Sequence, residues 1–212
     1  MIRVEDLLLA GGGRPVLVNV TLLVNSGQIV VVQGANGAGK SLLARAVVGL
    51  ARPHAGRVTI DGMDVRRFRA RRMIGYLPQL PGFYEDLTAE ENLRLYASVA
   101  RIPWRRRKQV VQDLLELVGL GALSQQPVGR LTPGQRQRLA FGRALVGDPP
   151  VLVLDEPLTG LDAAGRQDVA HLLEELAGMG KAILVVTGDP DGLPRHLLMR
   201  LSDQTVKGGE VA

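Results

Sequence analysis

The chain has 212 residues, 46% of them hydrophobic and 22% charged, which suits one α/β domain with a packed core and room for a smaller insert. It contains no cysteine, which excludes a disulfide framework and any thiolate metal or redox site. The formal net charge of +5 is carried mostly by arginine, but aromatic residues make up only 3%, so platforms for stacking bases are scarce and no nucleic-acid partner is expected.

Met1-Ile2-Arg3-Val4-Glu5-Asp6 lacks the apolar core of a signal peptide, and no apolar run approaches the ~18–20 residues of a membrane helix. The expectation is a cytoplasmic chain. Residues 2–9 and 16–24 are apolar enough for two strands, joined by the turn Gly11-Gly12-Gly13-Arg14-Pro15. Asn25-Ser26-Gly27 then turns into a buried strand, Ile29 to Val32. After it comes Gly34-Ala35-Asn36-Gly37-Ala38-Gly39-Lys40-Ser41, the full Walker A spacing, followed by a helix that ends near Gly49 with Pro53 beyond it. Its glycines let successive backbone N–H groups curl around a phosphate, and the helix N-terminus behind them adds about half a positive charge. Lys40 should reach the β- and γ-phosphates, and the Ser41 hydroxyl should ligate Mg²⁺.

Arg57 to Ile60 reads as a short strand closed by Asp61-Gly62, and Arg72 to Leu77 as another, ending in Pro78-Gln79. The texture then becomes helical. Thr88 with Glu91 forms a capping box opening a helix over about 89–101. Pro103 starts the next, whose apolar positions Val110, Val111, Leu114, Leu115, Leu117 and Val118 keep helical spacing, with Gly119 and Gly121 stopping it. The arginine-rich runs Arg66–Arg72 and Trp104–Lys108 read as solvated helix faces, near an anionic membrane surface. Residues from about 80 to 130 thus form a helical insert in the α/β core.

Leu131-Thr132-Pro133-Gly134-Gln135 opens a helix to about Gly147, and Asp148-Pro149-Pro150 separates it from Val151-Leu152-Val153-Leu154-Asp155-Glu156. Four apolar residues followed by two acids make a buried parallel strand that delivers carboxylates at its C-terminal end. Asp155 is placed to hold Mg²⁺ opposite Ser41, and Glu156 to polarise an attacking water. A helix from Ala164 to Ala177 and a strand from Ala182 to Val186 follow, and His196 to Ala212 reads as one or two edge strands and a frayed end.

Walker A (34–41), Gln79 after a core strand, a signature-like segment (131–135) continuing into Arg136-Gln137-Arg138-Leu139-Ala140, Walker B (151–156) and Leu161-Asp162 occur in one order. In that order the chain resembles the ATPase subunit of an ATP-binding cassette (ABC) transporter over nearly its whole length. The resemblance implies a P-loop NTPase fold: a RecA-like, mainly parallel core over 1–79 and 131–212, an N-terminal antiparallel β subdomain and the inserted helical subdomain at about 80–130. It implies ATP and Mg²⁺ as ligands, with Gly34, Asn36, Gly37, Ala38, Gly39, Lys40, Ser41 and Leu42 on the phosphates. Ser41, Gln79 and Asp155 would attend the metal, while Glu156 and Gln79 serve catalysis. Thr132, Gly134 and Gln135 would cap the nucleotide held by a second cassette chain, the same or different, in a head-to-tail dimer, and Asp162 would link the two subunits. The resemblance further implies a separate integral-membrane subunit as partner, docking around Gln79, Pro81, Phe83 and Tyr84, with this chain peripheral on the cytoplasmic face.

Three positions depart from the family pattern. Gly188, in Val185-Val186-Thr187-Gly188-Asp189, stands where the family usually has histidine. Thr132-Pro133-Gly134 replaces Ser-Gly-Gly, and Pro133 deletes one N–H donor. Gly11 stands near the position of a usual adenine-stacking aromatic, leaving Val16 for that contact. A slow but competent ATPase, a cassette beside a non-identical partner, and a nucleotide-gated clamp with little turnover all fit these departures.

Overall fold

The computed structural model describes residues 1–12, 14–202 and 205–211, the last six of these as backbone alone. Two sheets share one body. β1 (Ile2–Gly11), β2 (Arg14–Val24), β4 (Ala55–Ile60) and β5 (Met63–Asp64) form an antiparallel sheet in the order β2-β1-β4-β5. The second sheet has six strands ordered β10-β9-β3-β8-β7-β6, from β3 (Ile29–Gly34), β6 (Ile74–Leu77), β7 (Val151–Asp155), β8 (Ala182–Thr187), β9 (Leu197–Ser202) and β10 (Thr205–Val211). All its neighbours are parallel except β9 and β10.

The continuous apolar runs of β3, β7 and β8 follow from burial on both faces. Ile29, Val31, Leu152, Leu154, Ile183 and Val185 pack against the helices on one side. Val30, Val32, Val151, Val153, Leu184 and Val186 face the antiparallel sheet and α1 (Lys40–Val47) on the other. Gly49, at φ 76°, ends α1 as expected. Both sides are thus dry, and the sheet's C-terminal edge is left to carry polar chemistry.

Between β6 and β7 lie α3 (Ala89–Val99), α4 (Trp104–Leu117) and α5 (Pro133–Leu145), with two single 3-10 turns before α5. The Thr88 hydroxyl accepts the Glu91 N–H at 3.1 Å and the Glu91 carboxylate accepts the Thr88 N–H at 2.8 Å, so the capping box is complete. Gly75 in β6 lets α5 sit directly on the sheet: a Cβ there would lie 2.0 Å from the Ala144 carbonyl oxygen. α6 (Ala163–Gly178) leads to β8.

Several local expectations need correction. Gly11 pairs with Arg14, so the first hairpin turn is tighter than 11–15; its Gly13, like the frayed end at Ala212, lies outside the described residues. β9 is not an edge strand, because it pairs with β3 on one side and β10 on the other. On α4, Val111, Leu115 and Val118 enter the core, but Leu117 is 49% exposed. It lines an open, mostly apolar cleft of about 490 Å³ with Leu172 and Met179. The Arg66–Arg72 run is only partly helical, over α2 (Phe68–Arg71), and its arginines are all exposed.

Candidate active site

The C-terminal ends of β3, β7 and β8 converge, as a doubly wound parallel sheet requires of a ligand crevice. From β3 the chain enters the glycine loop, where Gly37 (φ 81°) and Gly39 (φ 101°) adopt left-handed backbone that side chains resist. Gly39 has a second reason to lack a Cβ, since one would meet Val16 and Leu17 side-chain carbons at 2.9 Å. Among the described residues, the backbone N–H groups of Gly37, Gly39, Lys40, Ser41 and Leu42 have no acceptor, and no acid occupies the first turn of α1. This is a helix N-terminus open to an anion, and a polyphosphate fits it.

Lys40 is buried, and its ammonium is folded over the loop, donating to the carbonyls of Gly34 at 2.9 Å and Ala35 at 3.1 Å. Glu156 Oε1 lies 3.5 Å from the same nitrogen. The Ser41 hydroxyl donates to Asp155 Oδ1 at 3.1 Å. Asp155 is almost fully buried, and burial pushes its carboxyl above the usual carboxylate range; the Ser41 hydrogen bond opposes that shift, and Glu156 beside it adds to it. Arg45 and Lys40 pull the other way. Tyr76 on β6 belongs to the same neighbourhood, its phenol pushed up by burial and by Asp155 and pulled down by Arg45.

Ser41 and Asp155 offer hard oxygen atoms of the kind Mg²⁺ takes. Among the described residues no cluster of three or more His, Cys, Asp or Glu could hold a metal alone. That combination fits a cation arriving with phosphates, because Mg²⁺ is usually bound by one or two carboxylates plus substrate oxygens.

Glu156 itself has left-handed backbone, φ 52°, a conformation that costs a non-glycine residue roughly 1–2 kcal/mol. It is held by side-chain bonds to Thr187 and the Gly188 N–H, and by its own carbonyl, 3.4 Å from the buried Gln137 amide, which also donates to Pro157 O at 2.8 Å. Sequence reasoning passed over Thr187 and Gln137 as site residues. The bonds that bring them here reach residues 31 and 20 positions away, and no local sequence signal marks either.

The other expected residues divide into three groups. Val16 lies against Gly39 beside the loop. Gln79 is exposed, two residues past the end of β6, with no hydrogen bond to the site. Thr132, Gly134, Gln135 and Asp162 gather elsewhere, lining a separate cleft of about 570 Å³ with Gly160 and Leu161; no residue of the glycine loop borders it. Thr132 and Gln135 are themselves a capping box: the Thr132 hydroxyl accepts the Gln135 N–H at 3.3 Å and the Gln135 amide oxygen accepts the Thr132 N–H at 2.9 Å. With Pro133 lacking an N–H and that of Gln135 taken, Gly134 keeps the free donor of this turn. Asp162 caps α6, its carboxylate accepting the Gly165 N–H at 2.9 Å.

The chain is similar to known proteins over most of its length. A family model described as ABC transporter matches residues 17–159. The probable multidrug ABC transporter ATP-binding protein YbhF of Escherichia coli (strain K12) is 38% identical over 176 residues, 82% of this chain and 30% of that protein. Nod factor export ATP-binding protein I of Rhizobium sp. (strain N33) is 37% identical over 178 residues, 83% of this chain and 59% of that protein. The chain therefore spans between about a third and three-fifths of the length of these curated relatives. Among solved structures, a dimeric post-hydrolysis state of the ATP-binding cassette MJ0796 bound to ADP and Pi superposes with a TM-score of 0.90 at 27% identity, covering 100% of this chain and 98% of that one. A phosphate-ready loop after β3, acids after β7, a remote signature helix and a match across most of the chain have one common explanation: it belongs to the ABC transporter family, as an ATP-binding cassette.

Proposed function

We propose that the chain binds Mg-ATP between two cassettes, hydrolyses it slowly, and drives a separate integral-membrane subunit from the cytoplasmic side. The observation that carries this reading is the division of the site. The glycine loop, Asp155 and Glu156 face one crevice, whereas Thr132, Gly134 and Gln135 line a cleft that no loop residue borders. A second cassette, with its signature helix N-terminus turned to the loop, would complete the enclosure.

Within the site, the free N–H groups of Gly37 and residues 39–42 and the Lys40 ammonium bind the phosphates, with Lys40 turning away from its loop carbonyls to do so. Bound with the nucleotide, Mg²⁺ would neutralise phosphate charge, held by Ser41 and Asp155, with Gln79 as the further contact the family resemblance implies. Glu156 accepts a proton from the water whose oxygen attacks the γ-phosphorus, as the bond from that phosphorus to the bridging oxygen of ADP breaks. Slow turnover follows from Gly188, which has no side chain to offer the γ-phosphate, and from the single free donor at Gly134. Val16 supplies an apolar contact for adenine.

The test is assembly. With Mg²⁺ and a non-hydrolysable ATP analogue, light scattering should report a dimer, of this chain with itself or with a companion cassette, that ADP does not support. A chain that stays monomeric with both would refute the reading.

Partner docking is proposed at the exposed apolar residues after β6. Leu80 is 88% and Tyr84 59% exposed, whereas Phe83 packs against the core beneath the Arg143 guanidinium, 5.3 Å from its ring centroid. Leu80→Ser and Tyr84→Ala should therefore weaken co-purification with a membrane subunit in detergent by about tenfold or more while leaving thermal stability within ±0.5 kcal/mol.

A further inference from the structure

Glu156 leaves β7 with its main-chain N–H still bonded to Val186 O at 2.9 Å, so the chain keeps its register with β8. The left-handed turn of its backbone sends the side chain back over the end of β8. There its two oxygens meet donors from consecutive residues: Thr187 Oγ1 reaches Oε2 at 2.8 Å, and the Gly188 N–H reaches Oε1 at 2.9 Å. Thr187 is buried, 3% exposed. Its hydroxyl oxygen accepts the Asp189 N–H at 3.1 Å and lies 3.0 Å from Asp189 O. A hydroxyl has one proton to give, and the nearer, charged acceptor takes it, because hydrogen bonds to an ionised partner are roughly twice as strong as neutral ones.

We infer that Thr187 and the Gly188 N–H form a two-point clamp that fixes the direction of the Glu156 carboxylate, with Thr187 as its positioning residue. Both oxygens are held, so the carboxylate can neither spin about its last bond nor swing to another rotamer without breaking a charge-assisted contact. A glutamate side chain is among the costliest to order, and ordering it in advance removes that cost from the reaction. The donor at position 188 comes from the main chain, so the clamp needs no side chain there. The clamp is a statement of geometry; its kinetic consequence rests on the reading of Glu156 as the general base.

Two measurements on the full chain separate these. In the nucleotide-free protein, the Gly188 amide proton, observed by ¹⁵N-edited NMR, should move upfield in Thr187→Val as it does in Glu156→Ala, and stay in place in Thr187→Ser. In turnover with Mg-ATP, Thr187→Val should lower kcat by about 10–100-fold with KM unchanged, Thr187→Ser should restore it, and Thr187→Val should add no loss in a Glu156→Gln background. An amide unmoved by Thr187→Val would overturn the clamp. So would an equal loss of kcat in the Glu156→Gln background, which marks a merely structural threonine. If the amide moved as expected but Glu156→Gln turned over like the wild type, the clamp would stand and the proposed chemistry would fall.

Discussion

Replacing Glu156 with glutamine should reduce steady-state phosphate release by about 10²–10⁴-fold, the range a positioned general base supplies. Nucleotide binding should survive, since the loop donors and the Lys40 ammonium do not depend on that carboxylate. The glutamine is nearly isosteric and can still accept from one of Thr187 and the Gly188 N–H, so the fold around β7 and β8 should be kept. Filter binding of ATP alongside a phosphate-release assay separates the two quantities. Equal turnover in the variant and the wild type would remove Glu156 from the chemistry.

The second large effect runs in the opposite direction. Gly188→His should raise turnover, by up to about 10²-fold, the scale on which one well-placed transition-state donor acts. The structure leaves room for it. A Cβ at 188 would sit 3.7 Å from Glu156 Oε1, from Gly34 O and from Lys40 Nζ, ordinary contact distances, and Gly188 does not have the positive φ that would oppose a side chain. The Gly188 N–H is retained in the variant, so its hold on Glu156 is not spent in gaining the imidazole. A rate unchanged or lowered would mean that the side chain at 188 does not point to the phosphates.

Much of this architecture was readable in the sequence because its signals are local. The Walker A spacing, the apolar runs of β3, β7 and β8, and the Thr88–Glu91 cap each lie within a few residues, and each element formed where expected. What escaped depends on partners far along the chain. Thr187 touches a residue 31 positions away and Gln137 one 20 positions away. The place of β9 inside the sheet is set by pairing with β3, about 170 residues earlier, which no periodicity in the last segment reveals. Leu117 satisfies helical spacing yet faces an open cleft, because spacing gives the side of a helix and not what stands opposite it. Thr132 and Gln135 show the same capping pattern as Thr88 and Glu91, a local signal that their place in the signature-like segment masks.

The buried Gln137 amide joins the first turns of α5 to the carbonyls of Glu156 and Pro157. Two residues upstream, Gln135 closes the cap at the tip of that helix. The tip of α5 and the turn that carries Glu156 are therefore tied together through one short stretch of helix. If two cassettes pair head to tail as proposed, a neighbour's triphosphate at that tip would rest on a linkage that reaches this chain's Glu156 through a rod less than two helical turns long.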